Sequence, residues 1–172
     1  MLIALLVALL IICADQTAKL LIVQHMQPGQ DIPVINGILH LHYAQNTGAA
    51  FSIMQGMQWV FISASIIASI AIIIFLAVRK KPIHWLGLLS LGMILGGAMG
   101  NLIDRLRTVD HTVIDFIYLK FINFAIFNVA DSCITVGAIL LCVYILFFHE
   151  KYQKGLHPKE PDKTGEPESG QA

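Results

Sequence analysis

The sequence predicts a membrane α-helical protein: a bundle of four transmembrane helices with a small antiparallel β-sheet on its outer face. Three observations carry that prediction. Of 172 residues, 56% are hydrophobic and only 13% charged, with a mean hydropathy of +0.73, which is a membrane protein's composition. Four runs, at residues 2–23, 59–78, 85–103 and 124–148, are apolar and long enough to cross hydrocarbon about 30 Å thick at about 1.5 Å per residue. Between the first two runs the chain gains Pro28, Gly29, Pro33, Gly37, Gly48 and Gly56 and loses every Lys and Arg, the mark of a segment built on turns.

Each element has a local reason. The first span carries Asp15 and Lys19 four residues apart with the acid first, the favourable order for an ion pair on one helix face. It is expected to be a retained span, since it lacks the basic start of a secretory leader and Ile12 stands where a lipoprotein cleavage box needs a small residue before Cys13. A sheet is expected over residues 31–53. There the Asn36-Gly37 pair separates two apolar runs, and Leu39, Leu41 and Tyr43 alternate with His40 and His42. An open sheet cannot leave its edges in hydrocarbon, so it belongs at the membrane surface. His40 and His42 are expected to be solvated, because no third metal ligand lies within sequence reach.

The second span opens on Trp59 and closes on Arg79-Lys80-Lys81. The third carries Gly92, Gly96 and Gly100 at four-residue spacing, a close-packing seam whose next step is Asp104, with Asn101 and Arg105 one step round. After a connecting segment holding Asp115 among apolar neighbours, the fourth span begins near Phe124 and places Asn128, Asp131, Ser132 and Thr135 on one face. The tail after residue 150 is polar, rich in Lys, Glu, Pro and Gly, and expected to be disordered. Basic residues on the loop at 79–81 and in the tail outnumber Arg105, Arg107 and Lys120, which puts both termini in the cytoplasm and gathers Asp15, Asp104, Asp115 and Asp131 toward the outer face.

Zero net charge leaves no basic footprint for nucleic acid. The three cysteines all fall in apolar runs and behave as small hydrophobes. No His-Glu-x-x-His and no Gly-x-Ser-x-Gly is present, so the chemistry rests on aspartates. A carboxylate inside a span costs roughly 2.5–3.5 kcal/mol and calls for a purpose. Two purposes fit the residues equally: a carboxylate pair that activates water, or a proton or cation pathway in a small coupled transporter.

Five motifs in order carry a resemblance. They are Asp15-Gln16-Thr17-Ala18-Lys19, Asn46-Thr47-Gly48-Ala49-Ala50-Phe51-Ser52, the run from Gly96 through Asn101 to Asp104-Arg105, Val113-Ile114-Asp115-Phe116, and Phe127-Asn128-Val129-Ala130-Asp131-Ser132. Together they resemble the lipoprotein signal peptidases, signal peptidase II. The resemblance implies an aspartyl endopeptidase of the bacterial inner membrane with its active site toward the periplasm. Such an enzyme removes signal peptides from diacylglyceryl-modified prolipoproteins, cutting immediately before the lipidated cysteine. It implies Asp115 and Asp131 as the catalytic pair, with Asp110 a rival that Phe116 after Asp115 argues against. Asn46, Gly48, Asn101, Arg105 and Asn128 match its supporting positions, and Asp15, Lys19 and Asp104 hold the architecture. The expected partners are lipid-modified prolipoproteins and membrane lipids. The chain is expected to act as a monomer without cofactor, metal or nucleic acid, with residues 1–150 forming one peptidase domain and 151–172 a cytoplasmic tail.

Overall fold

The computed structural model describes residues 1–48, 57–79, 81–108, 110–148 and Tyr152. The expectations for residues 49–56 and for the tail lie outside the described residues. Four helices are long and apolar enough to cross a membrane: α1 (Leu2–His25), α2 (Gln58–Val78), α3 (Trp85–Arg107) and α4 (Val129–Val143), the last running on through a π-helical turn at Tyr144–Phe148. Three strands, β1 (Asp31–Ile35), β2 (Leu39–Asn46) and β3 (Val113–Leu119), form one antiparallel sheet in the order β1-β2-β3.

α3 is the central post. Two thirds of its apolar window is buried, against about a fifth for each of the other helices, because its glycines let neighbours reach its backbone. A Cβ on Gly92 would stand 2.6 Å from the Ala4 carbonyl oxygen, and one on Gly96 would stand 2.8 Å from that of Ala8. Those contacts are the α1 seam, and they continue through Gly100 to the Asp15 carboxylate. Gly97, one step round, meets the Ala130 carbonyl of α4, and Gly137 of α4 returns the contact at Met93 and Ser90. In lipid such close van der Waals packing holds helices together, since hydrocarbon offers no hydrophobic drive between them. α2 buries only Ile62, Ser69 and Leu76, seven apart, and turns Ile67, Ile70 and Ile74 outward.

The expected hairpin forms, with Gly37 at φ +72° in the turn between β1 and β2. β1 is exposed along its whole length and carries Pro33, as an edge strand should. Pairing of β2 with β3 advances three residues on β2, from Leu41 to Ala44, against two on β3, from Ile117 to Asp115. That extra residue is a bulge, and it breaks the expected alternation. His40 and Tyr43 are both buried, and His40 is not solvated: its Nδ1 meets the Asp31 carboxylate at 2.9 Å.

Two boundaries differ from the sequence reading. The fourth helix begins at Val129, not near Phe124, because Phe127 exchanges backbone hydrogen bonds with Ile117 and holds its segment extended beside β3. The connecting segment that precedes it contains β3, whose seven residues showed no alternation while both of its faces pack. α3 also runs to Arg107, past the apolar limit at 103, carrying Asp104 and Arg105 inside its last turn.

The seam gives a direct expectation. Gly96→Val must push α1 away, since the obstacle is backbone, and overpacking of this kind costs about 1–3 kcal/mol. Thermal unfolding of detergent-solubilised protein should show a clear loss for Gly96→Val and almost none for Ile67→Val on the outward face of α2.

Candidate active site

Asp115 and Asp131 reach one place from unrelated elements. β3 presents Asp115 opposite Ala44 of β2, so Asn46, two residues further on the same face, lies diagonal to it. Asn46 Nδ2 donates to Asp115 Oδ2 at 2.9 Å, and its amide is oriented by a turn in which Gly48 N donates to Asn46 Oδ1 at 2.9 Å. From the other side, the Phe127 bridge to Ile117 delivers Asn128 as the N-cap of α4. Asn128 Oδ1 accepts from Asp131 N at 2.9 Å while Asp131 Oδ2 accepts from Asn128 N at 3.2 Å, a reciprocal capping box.

Asn128 is completely buried and joins the two carboxylates. Its Nδ2 donates to Asp115 Oδ1 at 2.7 Å and to Asn101 Oδ1 at 3.1 Å. Asn101 Nδ2 then donates to Asp131 Oδ1 at 2.7 Å. Each carboxylate therefore has both oxygens engaged by donors from rigid elements.

Behind this net lies an ion cluster. Lys19 Nζ is 2.8 Å from Asp15 Oδ2 and 2.7 Å from Asp104 Oδ2, and it donates to Asn101 Oδ1 at 3.0 Å. All three are essentially inaccessible. The carboxylates use their remaining capacity between elements: Asp15 Oδ1 accepts from Ala130 N at the start of α4, and Asp104 Oδ2 accepts from Ile114 N beside Asp115.

Asn46, Gly48, Asn101, Arg105, Asp115 and Asp131 line one cavity of about 530 Å³. Its other walls, formed by Val113, Phe124 to Phe127, Ser132 and Ile134 to Val136, are apolar apart from Ser132 and Thr135. Asn128, Asp15, Lys19 and Asp104 stand behind that wall and hold it. Asp110 is exposed and does not line it. Burial, reinforced by the charge of Asp131, pushes the Asp115 carboxyl up to about 7, against the pull of its Asn46 and Asn128 hydrogen bonds and the charge of Lys19. Among the described residues no three His, Cys, Asp or Glu side chains converge as a metal site.

Sequence reasoning missed two contributors. Gln16 Nε2 donates to Asp104 Oδ1 at 3.0 Å and to the Gly100 carbonyl at 3.1 Å, tying α1 to α3 beside the ion cluster. A glutamine next to Asp15 inside an apolar span was the signal. The Phe61 ring lies 5.2 Å below the Arg105 guanidinium and supports it from α2, with nothing in the sequence to distinguish it from a lipid-facing aromatic.

Fold and site together define a multi-pass membrane protein with a buried carboxylate centre between its helices and its sheet. A family model described as signal peptidase (SPase) II matches residues 7–147. Lipoprotein signal peptidases of Bacillus velezensis and Clostridioides difficile are 44% and 38% identical to this chain, over 83% and 85% of it and 92% and 96% of their own lengths. A solved bacterial membrane enzyme superposes with a TM-score of 0.77 at 31% identity, over 92% of this chain and 93% of its own. The chain belongs to the signal peptidase II family and is a membrane aspartic peptidase of that type.

Two outcomes are expected. Lys19→Met leaves Asp15 and Asp104 buried without a cation and should cost about 3–5 kcal/mol, whereas adding Asp15→Asn and Asp104→Asn should recover much of that loss, as comparison of unfolding midpoints would show. The second concerns pH. Folded Asp115 keeps its proton up to about pH 7, while the unfolded carboxyl releases it near the ordinary 3.8. Its contribution to stability is therefore present at low pH and lost as pH rises through about 7. Asp115→Asn removes this slope, so the midpoint of the parent relative to that variant should fall between about pH 4 and pH 7 and level off above.

Proposed function

We propose that this peptidase removes signal peptides from diacylglyceryl-modified prolipoproteins, cutting immediately before the lipidated cysteine, with Asp115 and Asp131 as its catalytic pair. The observation that carries the proposal is the suspension of both carboxylates from one buried asparagine, Asn128, at the wall of a single apolar cavity. The name lipoprotein signal peptidase, borne by relatives such as that of Lactobacillus gasseri at 43% identity, supplies the substrate class. The site faces the periplasm of the inner membrane, both termini lie in the cytoplasm, and the chain works as a monomer.

Two carboxylates this close cannot both ionise readily, so the pair holds one proton at neutral pH. Asp115 is the natural carrier, because burial and the charge of Asp131 outweigh its two amide hydrogen bonds and hold its carboxyl up at about 7. Asp131 takes a proton from water, whose oxygen attacks the scissile carbonyl carbon. The Asp115 proton hydrogen-bonds the developing oxyanion. As the tetrahedral intermediate collapses, the carbon–nitrogen bond breaks and the proton held by Asp131 passes to the departing amine. The apolar walls exclude bulk water and suit the lipid carried by the cysteine. All of these carboxylates gather at one end of the bundle, whereas a transport path would need them spread through its depth.

Asp115→Asn and Asp131→Asn should each abolish cleavage while the protein still folds and binds a lipidated prolipoprotein. The double variant should be hardly worse, since groups acting as a unit are strongly non-additive. Parent activity should be bell-shaped in pH, falling at the alkaline side as the pair loses its one proton and at the acid side as the base is protonated. Turnover of a purified lipidated substrate checks all three expectations, and substantial cleavage by either folded single variant would remove that aspartate from the mechanism.

A further inference from the structure

A second cavity, about 710 Å³, opens at the far end of the bundle where α2 ends, α3 begins and α4 runs out. Leu91 lies ten residues before Asn101 on α3, and Leu141 ten after Asp131 on α4, so about 15 Å of helix separates this cavity from the carboxylate pair. The catalytic chemistry makes no use of it. Its floor is hydrocarbon, from Phe75, Leu91, Leu141 and Ile145, and its rim carries Arg79 and Lys81.

We propose that this cavity is a binding site for an anionic phospholipid, with one acyl chain in the cavity and the phosphate held between Arg79 and Lys81. Charge complementarity selects that occupant. Neither basic side chain forms an ion pair among the described residues, whose aspartates all lie on the sheet or at the opposite end of the bundle. The Arg79 guanidinium is held in place, since its Nε donates to the Lys81 carbonyl at 2.9 Å and its carbon lies 5.2 Å from the centre of the Phe75 ring. That leaves its terminal nitrogens for a phosphate, in the planar arrangement that favours Arg at such sites. The rim also stands at headgroup depth. Trp85 and Tyr144 flank it, with the Tyr144 ring stacked 6.2 Å from that of His84, and amphipathic aromatics of this kind collect at the membrane–water boundary. A phospholipid satisfies both halves of the site at once: a chain for the apolar floor and an anion for the rim.

The test offers full-length purified protein an equimolar mixture of dioleoylphosphatidylglycerol and dioleoylphosphatidylcholine, with bound lipid read by native mass spectrometry. The glycerol lipid should be retained over the choline lipid on the order of tenfold, since each basic group near the surface favours an anion by roughly the same modest amount. The double variant Arg79→Gln, Lys81→Gln should bring that ratio close to one. Ile145→Trp, at a side chain more than half exposed and therefore safe for folding, should reduce retention of both lipids by occupying the cavity. Equal retention by the parent, an unchanged ratio in the double variant, or full retention by Ile145→Trp would each overturn the proposal. Displacement of the lipid by millimolar inorganic phosphate would do the same, because it would show a free-anion site without a seated chain.

Discussion

The structure depends on one buried ammonium group. Lys19 has three hydrogens and gives them to Asp15, Asp104 and Asn101, so nothing of its charge is left unpaired in a place where an isolated ion would cost several kcal/mol. Because all three partners sit on α1 and α3, the cation sets the depth and rotation of one helix against the other. The glycine seam above it permits that approach, since any larger residue at Gly92 or Gly96 would hold the backbones apart.

The ammonium also orients the site. Asn101 must turn its oxygen toward Lys19, which leaves its Nδ2 facing Asp131, and Asn128 then finds only one way to place its own amide among Asn101, Asp115 and the start of α4. Orientation is thus passed from a fully buried charge to two carboxylates at a cavity wall through amides that cannot flip without losing partners. The carboxylates hold their geometry before a substrate arrives. The cost is visible at Asp115, which burial and the neighbouring charge drive toward its protonated form, a strain that a protein selected only for stability would avoid.

The bundle is chemically polarised along its axis. One end carries the aspartates, the asparagines and the sheet; the other carries Arg79 and Lys81, which have no ion-pair partner among the described residues, and clustered aromatics, with an apolar middle whose outer faces are Leu, Ile and Val. Lipid can cover that middle, but neither end, so each end has its own way of meeting polar surroundings. At the carboxylate end the sheet supplies it: β2 and β3 satisfy each other's backbone groups and bring Asn46 and Asp115 together, while exposed β1 takes the edge.

Local chemistry made several features legible in the sequence. Hydrophobic run length gave the four spans, the Asn36-Gly37 pair gave the hairpin, the spacing of Asp15 and Lys19 gave their ion pair, and the glycine stripe gave a close-packing seam leading to Asp104, though not α1 as its partner. Each depends on residues within a turn or two of one another, so the pattern is written in the chain itself. The five motifs pointed to the family, and with it to Asp115 and Asp131, although nothing in their spacing says that the two meet. What the tertiary structure decided is long-range. β3 is a strand because β2 pairs with it, α4 starts at Val129 because Phe127 is held by Ile117, and His40 is buried because a bulge in β2 shifts its neighbours. The asparagine that joins two carboxylates sixteen residues apart can do so only after a strand and a helix N-terminus have been docked side by side. Hydrogen bonds between distant segments obey no sequence period, and only the folded chain reveals them.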